Sequence, residues 1–273
     1  MSGAKVLVLS GYGLNCEAET LHAFEHCGVQ GNIIHINDLI DNPQALHDYQ
    51  ILTVPGGFSY GDDTGAGNAY AQKLKLSLWE ELKAFIEGDT LTLGICNGCQ
   101  ILVNLGLVPA LDHYGARDVA VTYNENNRYQ CRWIDLKIEN DTPWLQGVET
   151  MHIPVAHGEG RFMMEEETLE SLQKNNQIAA RYVKPNGDKA GLEFPYNPNG
   201  SINDIAAITD KTGRVLAMMP HPERGMFTWQ RDDFAELKDQ AQRDGIQLSD
   251  DADGLGLFRN AARYFDIKIK KSA

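Results

Sequence analysis

No apolar run in this chain approaches the ~20 residues that a membrane-spanning helix requires, which excludes a helical transmembrane segment. Basic residues are in deficit: 24 lysines and arginines stand against 38 aspartates and glutamates, a formal net charge of −14. That balance argues against a nucleic-acid partner held through phosphates and against an anionic membrane surface. Cysteines are few and odd in number, five scattered along 273 residues, so no disulfide framework is expected. With no n-region, apolar h-region and cleavage pattern at the N-terminus, they suit a reducing cytosol, and a cytoplasmic location is the expectation. Phosphate-binding signatures are missing as well. There is no P-loop, and Gly11-Tyr12-Gly13-Leu14-Asn15-Cys16 falls one glycine short of G-x-G-x-x-G. Any nucleotide-driven step is therefore expected on another polypeptide.

What is present is enough apolar material, 42% of residues, for one large α/β domain. Residues 5–10 form a buried-strand run followed by a turn and a helix that stops at Gly28. A second strand is expected near 31–36 and a third at 51–54, running into the glycine-rich loop Pro55-Gly56-Gly57-Phe58-Ser59-Tyr60-Gly61-Asp62. An amphipathic helix with Leu74, Leu78, Leu82, Phe85 and Ile86 on one face then leads to the strand at 91–95. This βαβαβ order implies a mostly parallel sheet. Residues 119–138 alternate in two runs around Asn124, which predicts an antiparallel hairpin or a pair of edge strands. A charged, glycine-bracketed loop, His157-Gly158-Glu159-Gly160-Arg161, precedes a helix at 165–174 and strands at 178–183, 205–209 and 214–219. Two helices close the chain, at 233–243 and around Leu257, Ala261 and Phe265. Between them, residues 249–254 imitate the start of a calcium loop, but its first ligand position is Ser249 and its twelfth is Asn260. A solvated acidic linker is the expected reading.

The stretch Gly94-Ile95-Cys96-Asn97-Gly98 has the form G-x-nucleophile-x-G at a strand-to-helix turn, which exposes the central side chain above a sheet. The unpaired N–H groups at a helix N-terminus favour an anion there, so Cys96 is the candidate nucleophile. It could equally be a small buried apolar residue. With Cys99 it also spells C-x-x-C, the spacing of a redox dithiol or of half a zinc site, though no second pair completes a metal set. The N–H of Asn97 is a candidate oxyanion donor, and Gly57 or Phe58 in the glycine-rich loop is a second. Because glycine peptides turn over at little steric cost, that loop could also act as a switch. Downstream, Pro220-His221-Pro222-Glu223 places a carboxylate two residues from an imidazole, on one face if the segment is extended. Such a carboxylate orients the ring and stabilises its charged form. The alternative is an exposed loop histidine beside an unrelated glutamate.

With Cys96, His221 and Glu223 in place, the chain resembles the class I glutamine amidotransferases, whose elbow is G-x-C-x-G and whose H-x-E follows a late strand. The motifs at 13–17, 55–62, 94–100, 156–162 and 220–224 are similar to the branch of that family serving phosphoribosylformylglycinamidine synthesis in the purine pathway. This resemblance implies a flavodoxin-like three-layer α/β sandwich, with a mostly parallel central sheet and an antiparallel elaboration. It implies one glutaminase domain over residues 1–273, with a C-terminal helical extension from about 230. Cys96 would be the nucleophile, His221 the acid and base, and Glu223 the orienting acid. Gly57 or Phe58 with Asn97 would form the oxyanion hole, and Gln100 would help to seat L-glutamine. The ammonia would pass to a synthetase subunit that uses ATP and Mg, with a small accessory subunit as a further partner, while this chain holds no cofactor and no metal. Cys99 and the long segment 112–147 look more like the glutaminase portion of a single-chain synthase than the short separate subunit. The rival readings are a glutaminase serving another acceptor synthetase and a non-catalytic regulatory module of the same fold. An intact Cys96, His221 and Glu223 argue against the second.

Overall fold

In the computed structural model, which describes residues 3–267, the strands in chain order are β1 (Lys5–Ser10), β2 (Gln30–His35), β3 (Ile51–Val54), β4 (Leu91–Ile95), β5 (Ala120–Tyr123), β6 (Gln130–Ile138), β7 (Thr150–His157), β8 (Glu159–Met163), β9 (Ile178–Val183), β10 (Ile205–Thr209) and β11 (Val215–Met218). The helices are α1 (Glu17–His26), α2 (Ile36–Asp41), α3 (Asn68–Glu87), α4 (Asn97–Leu105), α5 (Glu166–Lys174), α6 (Phe234–Asp244) and α7 (Leu255–Tyr264). Nine of the strands make one sheet in the order β2-β1-β3-β4-β11-β10-β9-β6-β7. The half from β2 to β11 is parallel and the half from β11 to β7 is antiparallel. The mostly apolar character of β3, β4 and β11, broken only by Thr53 and Thr92, follows from position, since every residue in them is buried and a parallel strand is covered on both faces.

Crossovers between parallel strands are right-handed. From β1 to β2 the chain steps one way along the sheet and from β3 to β4 the other, so α1 and α3 cover opposite faces. Helix α7 lies with α1, Phe24 meeting Phe258 edge-on at 4.9 Å between ring centroids, and α4 packs with α3. The result is the three-layer α/β arrangement that the resemblance implies. Among the described residues, no helix is long and apolar enough to cross a membrane.

Three expectations change. The runs either side of Asn124 are not a hairpin: β5 pairs with β8 in a separate two-stranded sheet, while β6 lies between β7 and β9. The buried Asn124 side chain causes the divergence, donating to the carbonyls of Arg128 and His157 and accepting from the Gly160 N–H. Alternation reports that a strand has two unlike faces; it does not name its neighbour. Residues 250–254 are not a solvated linker. The Asp250 carbonyl accepts from Thr228, the Ala252 N–H donates to Met226, and the Gly254 N–H donates to Gly225. Nor is α7 an appendage, since Leu255, Leu257, Phe258, Ala261 and Ala262 belong to the main core. Helix α6, which has no buried residue, is the part that fits the term extension.

The tightest contact in the fold is at the start of α4. A Cβ on Gly98 would lie 1.8 Å from the carbonyl oxygen of Val54 at the end of β3, and one on Gly94 would lie 2.6 Å from the carbonyl oxygen of Gly98. Backbone cannot yield there as a flexible side chain would. Gly98→Ala should therefore cost more than the ~1–3 kcal/mol of ordinary overpacking, whereas Gly3→Ala, with nothing within 4 Å of the added methyl, should be neutral. Urea midpoints of the two variants check this, and equal midpoints would show that α4 can lift off β3 freely.

Candidate active site

The carboxyl ends of β1, β3, β4 and β11 point to one edge of the sheet, where ligands bind in open α/β folds. At that edge Cys96 takes φ 52° and ψ −106°, a left-handed conformation that costs a non-glycine residue about 1–3 kcal/mol. Its N–H donates to the Met218 carbonyl at 2.8 Å, and Sγ donates to the Ala156 carbonyl at 3.5 Å. The positive φ thus falls on the cysteine itself, and the flanking glycines serve close approach. Asn97, the first residue of α4, has an N–H without an intrahelical partner. Its side chain accepts from the Ser59 N–H at 3.0 Å and donates to Gln100 Oε1 at 2.8 Å. Gln100 Nε2 in turn donates to the Glu159 carbonyl, so both ends of that amide are engaged within the protein.

His221 and Glu223 meet as the spacing predicts, Nδ1 to Oε1 at 2.6 Å, with side chains 1% and 0% exposed. The route differs from the extended segment expected. Pro222–Arg224 is a single 3-10 turn that His221 precedes, and the His221 N–H is anchored on the Pro154 carbonyl at 2.8 Å. Burial acts to depress the imidazolium, but the Glu223 carboxylate and then Cys96 outweigh it, so His221 is held well above its usual range. Its Nε2 is buried with no partner among the described residues.

Cys96 and His221 line one cavity of about 330 Å³ together with Gly57, Phe58, Gln100 and Arg224. Asn97 and Glu223 stand directly behind that lining. Gly56 and Gly57 are clamped to the preceding turn: the Gly56 carbonyl accepts from the N–H groups of Asn15 and Cys16 at 3.0 and 3.2 Å, and the Phe58 N–H donates to Gly13 at 2.8 Å. The Gly57 N–H lies anti to that carbonyl across a planar peptide, which leaves it as the donor the loop can offer. A turnover of this peptide would break two hydrogen bonds, so the loop is stiffer than its glycines suggest.

Several cavity residues escaped the sequence reading although they sit inside motifs it singled out, namely Asn15, Asp62, Glu159 and Arg224, and Tyr129 joins them from outside any motif. Behind the wall, Cys16 accepts from Arg224 at 2.9 Å. The donor atoms of Cys16, His221 and Glu223 lie within 4.8 Å of one another, a donor set of metal-binding type. The 2.6 Å between imidazole and carboxylate is shorter than the separation of two ligands on one tetrahedral zinc. Cys99 is buried in α4, its thiol pushed well up by burial. His157 is kept neutral, lowered to about 3 by burial and by His221, and its Nδ1 bonds Asn124 at 3.1 Å.

Because the Glu223 charge raises His221, Glu223→Gln should lower the pH at which this ring loses its proton and slow proton transfer through it by about 10²–10⁴-fold. The His221 ring-proton resonance followed against pH reads the first effect. A titration unchanged from wild type would mean that Cys96, not Glu223, supplies the main stabilising charge.

Residues 3–265 match the family model of the CobB/CobQ-like glutamine amidotransferase domain. Phosphoribosylformylglycinamidine synthase subunit PurQ of Methanococcus maripaludis is 48% identical over 267 residues, covering 96% of this chain and 97% of the relative. The subunit of the same name from Dehalococcoides mccartyi is 37% identical, over 97% and 98% of the two chains. Among solved structures, PurLQS from Thermotoga maritima contains a chain that superposes with a TM-score of 0.68 at 28% identity, covering 96% of this chain and 99% of that one. Matched end to end at these identities, the chain belongs to the PurQ family of glutamine amidotransferases.

Proposed function

We propose that this chain is the glutaminase subunit of phosphoribosylformylglycinamidine synthase and that it works through a glutamyl thioester on Cys96. One observation carries the chemistry: a cysteine held at positive φ on a helix N-terminus shares a cavity with a histidine whose outer nitrogen is unpartnered and whose inner nitrogen is bound to a buried carboxylate. His221 takes the proton of Cys96, and Glu223 stabilises the imidazolium. The thiolate attacks the carboxamide carbon of L-glutamine, and the oxyanion is met by the N–H groups of Asn97 and Gly57. The carbon–nitrogen bond then breaks, ammonia leaving with the proton from His221. Water, deprotonated by His221, opens the thioester to glutamate and restores the thiol. Each oxyanion donor is worth about 10²–10³ in rate.

The ammonia is consumed by a synthetase subunit that activates formylglycinamide ribonucleotide with ATP and Mg, since this sequence carries no phosphate-binding signature of its own. A small accessory subunit completes the assembly in this reading. The chain acts as one domain in the cytoplasm, and Gln100 shapes the glutamine pocket through its bond to the Glu159 carbonyl.

The test is Cys96→Ala in the complex with the synthetase. Glutamine-dependent formation of formylglycinamidine ribonucleotide should be abolished and ammonia-dependent formation retained. Loss of both in a complex that still assembles would sink the division of labour, and a different acceptor aminated at the expense of glutamine would reassign the partner.

A further inference from the structure

At the end of β3 the backbone takes three successive left-handed residues, Tyr60, Gly61 and Asp62, at φ 53°, 65° and 54°. Two of the three are not glycine, so the surroundings hold them there against their preference. The effect is to turn the Asp62 carboxylate into the cavity that contains Cys96 and His221. From the other side the first residue of β8, Glu159, brings a second carboxylate to the same cavity.

Both acids are fixed in place by neutral donors. Asp62 Oδ1 accepts from Asn97 Nδ2 at 3.4 Å, and Glu159 Oε2 accepts from the Ala66 N–H at 3.2 Å. Among the described residues, neither forms an ion pair. The cations that share the cavity are committed elsewhere: Arg224 has Nη2 on Cys16 Sγ at 2.9 Å and Nε 3.9 Å from Glu223, and His221 has Nδ1 on Glu223 at 2.6 Å. Burial first, and then the charge of Glu159, pushes the Asp62 carboxyl up to about 6. Two half-buried acids facing one cavity, neither paired with a cation, disfavour one another, and a cation between them would relieve both.

The reacting end of the cavity is marked by the buried, unpartnered Nε2 of His221. Both residues are tied to the first turn of α4, which follows Cys96: Asp62 by its carboxylate to the Asn97 amide, and Glu159 by its backbone carbonyl to Gln100. A molecule that presents a carboxamide to Cys96 and carries a fixed positive charge a few bonds away fits that layout.

We propose that Asp62 and Glu159 form the seat for the α-ammonium group of the substrate, an inference that rests on the glutaminase reading. The seat selects free L-glutamine over amides that lack the α-amine or carry it acylated, because such molecules leave the two carboxylates facing each other uncompensated. Both acids are substrate-binding groups and take no part in proton transfer.

The experiment compares L-glutamine with 4-carbamoylbutanoate, which is glutamine without its α-amine, as substrates of the complex with the synthetase, for wild type, Asp62→Asn and Glu159→Gln. Wild type should prefer glutamine. Each substitution should raise KM for glutamine about tenfold or more, the worth of a charge-assisted hydrogen bond, with kcat nearly kept and kcat/KM for the des-amino amide unchanged. Wild-type KM for glutamine in both variants overturns the seat, as does an equal loss on the two substrates, which would make these residues mere supports of α4. A wild-type complex that releases no glutamate from glutamine brings down the glutaminase reading itself, an outcome distinct from either.

Discussion

The site depends on how closely the first turn of α4 is pressed onto the end of β3. Where Gly98 passes Val54 there is no room for a methyl group, and that approach forces the chain leaving β4 to reverse within one residue. Cys96 is that residue, and its left-handed backbone is a cost met by the packing of α4, whose face from Cys99 to Leu105 is almost wholly buried. A looser helix would let the cysteine relax to an ordinary φ, withdrawing Sγ from the cavity and Asn97 from its place behind the lining.

The second half of the sheet supplies what the first lacks. The parallel half delivers Cys96, Gly57 and His221, all from strand ends. The antiparallel half brings β7, whose Ala156 carbonyl takes the Cys96 thiol and whose Pro154 carbonyl anchors the His221 N–H. Two residues past the end of β7, Glu159 opens β8 in the separate two-stranded sheet. Strand β7 thus touches Cys96 and His221 through a side chain or backbone, which fixes their mutual placement more firmly than the turn at Pro222 could alone.

Most of this was legible in the sequence where chemistry and local geometry coincide. Cys96, Asn97, His221 and Glu223 stand out because an elbow or an H-x-E spacing reports one short piece of backbone. Strands β9, β10 and β11 and helix α5 fall where apolar patterning places them. What sequence could not give are contacts between distant segments. The partner of β6 was set by a single buried amide, Asn124. The role of residues 250–254 was set by where they dock, since an acidic, glycine-ended stretch looks alike whether solvated or pinned. Asp62 and Glu159 could be seen as charged members of motifs, but their shared cavity depends on pairing β5 with β8 and on the strained turn at Tyr60.

The docking of Gly254 has a consequence for the order in which the chain becomes reactive. Its Cα sits against the carbonyls of Pro222 and Gly225, closely enough that a Cβ would lie 2.1 Å from the first, so residues near 254 form part of the wall around the loop bearing His221 and Glu223. During synthesis from the N-terminus, the elbow that exposes Cys96 emerges more than a hundred residues before that wall. Until that segment has docked, the Cys96 thiol stands beside a His221 loop that lacks this wall.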